Sequence, residues 1–321
     1  MILIISSDDD MHALAVMDEL RALGRDATLL NLADFPKNAS LVVEPGSVNG
    51  RRELHLRGQV VDLSRINVVW WRRPQPYGMH EALVDPVDDN FALHEVDEAI
   101  QGLYLTLDAT WINDPARDQQ AARKLWQLDV ARDVGLEVPR TMITNDPDAA
   151  RDFIAQEGAR GVIYKPFQGS EEAWRETRLL KPEETKQLDA VKYAPVIFQE
   201  YIEAEVDIRV TVVGDQLFAA AIHSQKAEYK VDFRMDMSVE ITPIELSAEV
   251  SGKLRALMHR LGLKYGAIDL RRRPDGRDVF LEINPAGQWL FVEDKSQQPI
   301  SRAMAGLMAR HERPDLQVLR A

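Results

Sequence analysis

The segment from Ala267 to Asn284 constrains this chain more than any other. Asp275-Gly276 lies between two apolar runs, AIDLRRR and VFLEIN, and that dipeptide between alternating hydrophobics signals a two-residue β-hairpin. With such a turn, Asp269 stands directly opposite Glu282. Ile268 and Leu270 then share one face with Leu281 and Ile283, which leaves Asp269, Glu282 and Asn284 together on the other. Like charges placed across a strand pair repel, so the sequence calls for a cation beside them. Two carboxylates and an amide oxygen are hard ligands that suit Mg2+. The alternative is a solvated sheet face with two acids on it, and a β-bulge would undo the register.

A second hairpin has Gly214-Asp215 joining VDIRVTVV to QLFAAAI. Val206, Ile208, Val210 and Val212 face one side, while Asp207 and Arg209 share the other. An isolated D-x-R is commonly a surface ion pair worth about 0 to 1 kcal/mol; on the inward face of a cleft it would suit a ribose and a phosphate. Lys124 falls inside an amphipathic helix and Lys165 ends the run VIY just before Pro166. Each is either a solvated side chain or a phosphate counter-charge. Gln199-Glu200-Tyr201-Ile202 follows an apolar strand and reads, by itself, as a strand end.

Around these pieces the chain reads strand, helix, strand at its start: MILII, then Asp8 to Gly24 with Met11, Leu14, Met17 and Leu20 at three-residue spacing, then DATLLNL. No G-x-G-x-x-G occurs there, which disfavours a dinucleotide-binding dehydrogenase. Ile66 to Trp71 is strand-like and leads into Arg72 and Arg73, and Phe91, Val96, Ile100, Leu103 and Leu107 form a helical apolar stripe. ATWINDP (109–115) supplies turn chemistry and marks a domain boundary. A helix is expected from about Asp118 to Val134, stopping at Gly135. TMIT, a helix near Asp148 to Gln156 and VIYKP follow, and from Pro195 the chain is β-rich apart from a helix over Ala248 to Leu261.

At 321 residues there is length for two or three domains and a cleft between them. The 39 basic residues are outnumbered by 52 acidic ones, a net charge of −13, which argues against a nucleic-acid partner. No apolar run approaches the roughly 18 residues of a membrane span, and the first strand gives way to Ser6, Ser7 and three Asp rather than to a cleavage site; a cytoplasmic location is expected. With no Cys, thiolate nucleophiles and Cys-type metal sites are excluded.

The ordered set Lys124, Lys165, QEYIE, DIR and Asp269 followed by EIN at Glu282 to Asn284 resembles the ATP-grasp ligases across about two-thirds of the chain. The resemblance implies a fold that is α/β and α+β: an N-terminal βαβ pre-ATP-grasp domain (1–115), a central α+β lobe (116–193) and a C-terminal β-rich lobe (194–321), with ATP between the last two. It further implies that Lys124 and Lys165 contact phosphates, that Gln199, Glu200, Tyr201 and Ile202 form the adenine hinge, and that Glu200 offers its main-chain carbonyl to the adenine amino group. Asp207 would bind ribose, Arg209 would lie near the transferred phosphate, and Asp269, Glu282 and Asn284 would hold Mg2+. The loop PFQGSEEAW after Lys165 has a single Gly where many of these ligases have several.

Three further stretches, VVWWRRP, HSQ with VDFR, and EINPAGQWLFVEDKSQQPI, look like the graspetide synthetases, the microviridin-type peptide macrocyclases. Such enzymes take a ribosomally made precursor peptide with a leader and an acidic core, and join its Asp or Glu side chains to Thr or Ser hydroxyls or to Lys amines. Local Arg density fits an acidic substrate, because bidentate Arg forks match carboxylates. The substrate-binding residues implied are Arg72, Arg73, Ser224, Asp232 and Arg234, with Arg209 and Arg234 as catalytic candidates, and the resemblance suggests a homodimer. Taken alone, WWRRP reads as a buried strand with solvated arginines, Arg234 as an ion pair with Asp232 or Asp236, and Arg271 to Arg273 as a solvated hairpin arm. His223 is more often a packed sheet residue than a base. The alternatives to a macrocyclase are an ATP-grasp ligase adding amino acids to another molecule and a nucleotide-binding regulator without ligase activity.

Overall fold

Ile2, Leu3, Ile4 and Ile5 are all buried, so the first strand is the centre of a sheet covered on both faces, as its unbroken apolar run requires. The computed structural model describes residues 1–47, 50–167, 177–226 and 238–313. In chain order the first part holds β1 (Ile2–Ile5), α1 (Met11–Ala22), β2 (Ala27–Leu30), β3 (Ala39–Val43), β4 (Arg52–Leu56), β5 (Gln59–Asp62), β6 (Val68–Trp71), α2 (Pro86–Thr106) and β7 (Thr110–Ile112). Strands β2-β1-β6-β7 form one parallel sheet, the βαβ arrangement expected. The Asp10 side chain caps α1 by accepting from the His12 N–H, which satisfies a donor the helix itself cannot. Strands β3, β4 and β5 add a small antiparallel sheet to the βαβ arrangement.

Two expectations in this half are corrected. Val96, Ile100, Leu103 and Leu107 are buried as the stripe demands, but Phe91 is 65% exposed. The helix expected over 118–134 is two helices, α3 (Pro115–Ala121) and α4 (Lys124–Asp133), broken where Arg123 takes an extended backbone. Lys124 therefore stands at the first turn of α4, not in a helix interior. The break is filled by the buried Gln127 side chain, which donates to the carbonyls of Ala121 (2.7 Å) and Ile283 (2.8 Å) and accepts from the Ile283 N–H (3.2 Å).

A second antiparallel sheet, β10-β9-β11-β8, follows, from β8 (Thr141–Thr144), β9 (Val162–Lys165), β10 (Arg178–Leu179) and β11 (Val196–Glu200). Helix α5 (Pro147–Glu157) and a 3-10 segment, Pro182–Tyr193, cover one face through Ala150, Phe153, Leu188, Val191 and Phe198. The remaining sheet, β14-β13-β12-β15-β16, contains β12 (Val206–Val213), β13 (Gln216–Ile222), β14 (Ile241–Pro243), β15 (Tyr265–Arg272) and β16 (Asp278–Asn284). Helix α6 (Ala248–Leu261) covers the face bearing Val206, Ile208, Val210 and Val212. Helices α7 (Leu290–Ser296) and α8 (Ile300–His311) cover part of the other, where Val213, Tyr265 and Trp289 share a core with Ile2, Ile4, Val68 and Trp70 of the first sheet. The parallel sheet and the five-stranded sheet are thereby joined by one core.

The β15–β16 hairpin departs instructively from expectation. Asp269 does pair with Glu282, and Ile268 with Ile283. The turn, however, is closed by the Arg273 N–H on the Arg277 carbonyl at 2.8 Å, giving a three-residue loop in which Gly276 has φ of 84°, the left-handed conformation glycine adopts freely. Near the turn the pairing is consequently shifted, with Leu270 opposite Phe280. A bulge after Asp269 restores the offset. Phe280, not Leu281, is the residue that joins the core beside Leu270.

Candidate functional site

The alternation of β12 and β15 sets two charged pairs side by side. Arg209 lies opposite Asp269 and Asp207 opposite Arg271, on the sheet face turned away from α6. Arg209 Nη1 is 2.9 Å from Asp269 Oδ1. Arg271 donates to both carboxylate oxygens of Asp207, at 2.7 and 3.1 Å, and to the Ile202 carbonyl at 3.3 Å. Asp207 and Arg209, which an isolated D-x-R would leave as a local surface ion pair, thus each take a partner across the strand pair, because i and i+2 on a strand are farther apart than directly opposed residues. Arg271, which taken alone reads as part of a solvated arm and otherwise as one of the arginines fitting an acidic substrate, is buried.

Glu282 continues the row beyond Asp269 and carries Lys124 of α4 on its carboxylate. The two facing acids are therefore each met by a cation supplied by the chain. Asn284, paired with Ala267, is exposed and its Oδ1 accepts from the Ala286 N–H at 2.9 Å. Among the described residues no cluster of three or more His, Asp or Glu could hold a metal. Two carboxylates with one amide oxygen nevertheless fit Mg2+, which takes one or two carboxylates and keeps its other positions for water and phosphate oxygens.

On the central sheet, pairing of β9 with β11 sets Lys165 opposite Ile197 and Ile163 opposite Gln199. These four side chains share the face turned away from α5, and Lys165 and Gln199 are buried. Gln199 donates to the Thr141 hydroxyl at 2.9 Å. Glu200 accepts through its carboxylate from the Arg140 N–H at 3.2 Å and lies 3.5 Å from Arg273. Tyr201 has Arg271 over its ring at 5.9 Å. The segment 199–202 thus touches Arg271 of β15 and Arg273 just beyond it, so the two sheets meet at this segment.

The residues expected to hold a substrate carboxylate are dispersed. Arg73 is exposed, but Arg72 is 1% exposed. Arg72 Nε donates to Asp10 at 3.1 Å, its Nη1 donates to the carbonyls of Ala286 and Gly287 at 2.6 and 2.8 Å, and its guanidinium stacks 5.1 Å from the Trp289 ring. A guanidinium so enclosed offers no face to an incoming carboxylate, and the expectation for Arg72 is corrected. Ser224 is buried and its hydroxyl donates to Asp207, while His223 meets the Thr242 hydroxyl at 3.2 Å. Asp232 and Arg234, with most of the loop after Lys165, lie outside the described residues.

Several residues of the site escaped sequence reasoning. Gln127 ties α4 to the strand carrying Glu282, and its signal was a polar residue on an apolar helical face. Asn113 donates to the carbonyls of Tyr265 (2.9 Å) and Pro285 (3.1 Å). Asp118 lies nearby with one carboxylate oxygen buried and without a hydrogen bond. Burial pushes its pKa up to about 7, only partly offset by the Asn113 amide and the charge of Arg72.

Comparison with known proteins adds to this geometry. Residues 1–119 match the MvdD pre-ATP grasp domain and residues 121–306 match the RimK-like ATP-grasp domain. Among solved structures, the chain is similar to the macrocyclase MdnC of Microcystis aeruginosa, bound with precursor peptide MdnA, at 30% identity and a TM-score of 0.86 over 96% of this chain and 99% of that one. It is also similar to a RiPP-associated ATP-grasp ligase of Chryseobacterium gregarium in complex with ADP and a leader and core peptide, at 26% identity and a TM-score of 0.88 over 98% and 97% of the two chains. A ribosomal protein bS6--L-glutamate ligase of Salmonella paratyphi B is 26% identical over 215 residues, 64% of this chain and 69% of that protein.

Proposed function

Because the chain belongs to the RimK-like ATP-grasp family and is an ATP-grasp ligase that uses ATP and Mg2+, we propose that it closes rings in a ribosomally made precursor peptide. In this reading it activates Asp or Glu side chains of an acidic core as acyl-phosphates and joins them to Thr or Ser hydroxyls, or to Lys amines, in the cytoplasm and as a homodimer. The observation that carries the reading is the opposition of Asp269 and Glu282 on a sheet face that also bears Arg209. Similarity over nearly the whole chain to ligases solved with precursor peptides supports the peptide substrate.

Lys165 and Gln199 would line the nucleotide from the central sheet, with Lys124 reaching the phosphates and the 199–202 segment meeting adenine through the Glu200 carbonyl. Asp207, held by Arg271 and Ser224, would receive the ribose. Asp269, Glu282 and Asn284 would hold Mg2+, which when bound neutralises charge on the phosphates. A core carboxylate oxygen attacks the γ-phosphorus and ADP leaves. A hydroxyl or neutral amine of the same peptide then attacks the acyl carbon, and phosphate departs, taking up the proton that the nucleophile loses. Arg209, paired with Asp269, would stabilise the phosphate and the oxyanion. Arg73 and Arg234 are the arginines proposed for the substrate carboxylates. No protein nucleophile enters the sequence of steps, which agrees with a chain that has no Cys.

The test is isotopic. A precursor peptide carrying 18O in its Asp and Glu side-chain carboxylates, incubated with enzyme, ATP and Mg2+, should yield 18O-labelled phosphate and a peptide lighter by one water per bond. Unlabelled phosphate with a dehydrated peptide would remove the acyl-phosphate step. A peptide made heavier by added glutamate would favour the intermolecular ligase, the activity named for the bS6 relative.

A further inference from the structure

The turn that follows Asn284 is held by its own hydrogen bonds and by partners from outside, among them Asn113, which donates to the Pro285 carbonyl. The Ala286 N–H donates to Asn284 Oδ1 and the Gly287 N–H to the Asn284 carbonyl at 3.2 Å. The carbonyls of these same two residues receive Arg72 Nη1, and Gly287 also accepts from the Tyr265 hydroxyl at 2.7 Å. Gly287 cannot be larger, because a Cβ there would lie 2.4 Å from that of Ala267, the residue paired with Asn284. At the far end of the turn, the N–H groups of Trp289 and Leu290 donate to His12 Nε2 at 3.0 and 3.3 Å.

One carboxylate stands behind both clamps. Asp10 Oδ2 accepts from Arg72 Nε at 3.1 Å and from the Ser6 hydroxyl at 2.7 Å, while Oδ1 lies 3.3 Å from His12 Nδ1. Since His12 Nε2 accepts two backbone donors, its proton belongs on Nδ1, facing Asp10. Burial lowers the His12 pKa, in keeping with a neutral ring. For Asp10, burial raises the pKa, but hydrogen bonds from His12 and the charge of Arg72 outweigh it and hold the carboxyl well below the usual range.

We propose that Asp10, acting through Arg72 and His12, is a positioning residue for the metal site: the N-terminal domain sets the Asn284 turn and so the place of the Asn284 oxygen. This rests on the reading of Asp269, Glu282 and Asn284 as the Mg2+ set. A buried ion pair costs more in desolvation than an apolar replacement would, and here it holds a geometry that apolar packing could not. The N-terminal domain is then part of the catalytic apparatus, although it supplies no ligand.

The experiment is calorimetric titration of ADP, with and without Mg2+, into the full chain and its variants. Asp10→Asn keeps a good helix cap but loses the charge that orients Arg72 and His12. It should reduce the Mg2+-dependent gain in ADP affinity by about tenfold, the usual effect of losing an outer partner of a metal ligand, while affinity without Mg2+ stays within about twofold of the parent. Arg72→Lys, which retains the charge but not the fork on two carbonyls, should do the same and serves if Asp10→Asn fails to fold. A parental Mg2+ gain in these variants, or an equal loss with and without Mg2+, would overturn the proposal. Glu282→Gln separates the two claims. If that variant loses the gain while Asp10→Asn keeps it, only the positioning role fails; if Glu282→Gln keeps the gain, the metal reading fails and the positioning role with it.

Discussion

Asp207 and Arg271 face each other across β12 and β15 in a two-point pair, one step along the same sheet face from Arg209 and Asp269. The pair is buried and reaches the hinge through the Ile202 carbonyl. Arg271→Ala would leave the Asp207 charge buried with only Ser224, a loss of about 3 kcal/mol or more. Urea unfolding of that variant against the parent measures it. A change below about 1 kcal/mol would mean that the pair is not closed in solution.

Arg72 and Arg73 are neighbours with opposite surroundings. Arg72→Ala should cost about 3 kcal/mol through the uncompensated Asp10 charge. Arg73→Ala should stay within about 0.5 kcal/mol of the parent, as surface substitutions do, yet raise KM for the precursor peptide several-fold. Thermal unfolding and steady-state kinetics on the two variants check this, and equal effects on stability would contradict the burial of Arg72.

Asp118 makes stability pH-dependent. Its folded pKa of about 7 lies above the ordinary carboxylate value of 3.8, so between these the folded chain binds more protons than the unfolded one and stability falls as pH rises through that window. Asp118→Asn removes the burden. The variant should match its parent near pH 4 and exceed it by at least about 1 kcal/mol at pH 8. Parallel stability curves across that range would refute the assignment.

Lys124 meets Glu282 in a partly exposed pair, worth at most about 1 kcal/mol to the fold. Its larger role in the proposed nucleotide site is on the phosphates. Lys124→Ala should therefore leave the unfolding midpoint nearly unchanged and raise KM for ATP by about tenfold or more, the loss of one charge-assisted hydrogen bond. An unchanged KM would take Lys124 out of the nucleotide site.

What could be read from sequence follows from how local its causes are. The βαβ start and helix α6 were legible because apolar periodicity and end signals sit within a few residues of each other. The opposition of Asp269 and Glu282 was legible because alternation assigns both to one face, although the route to it, a three-residue turn followed by a bulge, was not. Asp207 looked paired with Arg209 because only the local spacing was visible; its partner Arg271 depends on the β12–β15 register. Arg72 was unreadable for the same reason. An Arg after an apolar strand looks identical whether it meets solvent or the carbonyls of Ala286 and Gly287, and only the shared core of the two sheets decides. The β3–β5 sheet did carry turn signals, at Pro45-Gly46, Asn49-Gly50 and Gly58, but its strands are only four or five residues long; α7 and α8 start without a capping side chain to announce them. No helix among the described residues is long and apolar enough to cross a membrane.

Ring closure within one peptide, the activity proposed for this ligase, is tested by the intact mass of short peptides encoded beside its gene, each co-expressed with the enzyme. Loss of one or more waters from one such peptide is expected, with fragmentation blocked between an acidic residue and a Thr, Ser or Lys. Unchanged peptide masses, together with ATP-dependent joining of free amino acids by the purified enzyme, would contradict it.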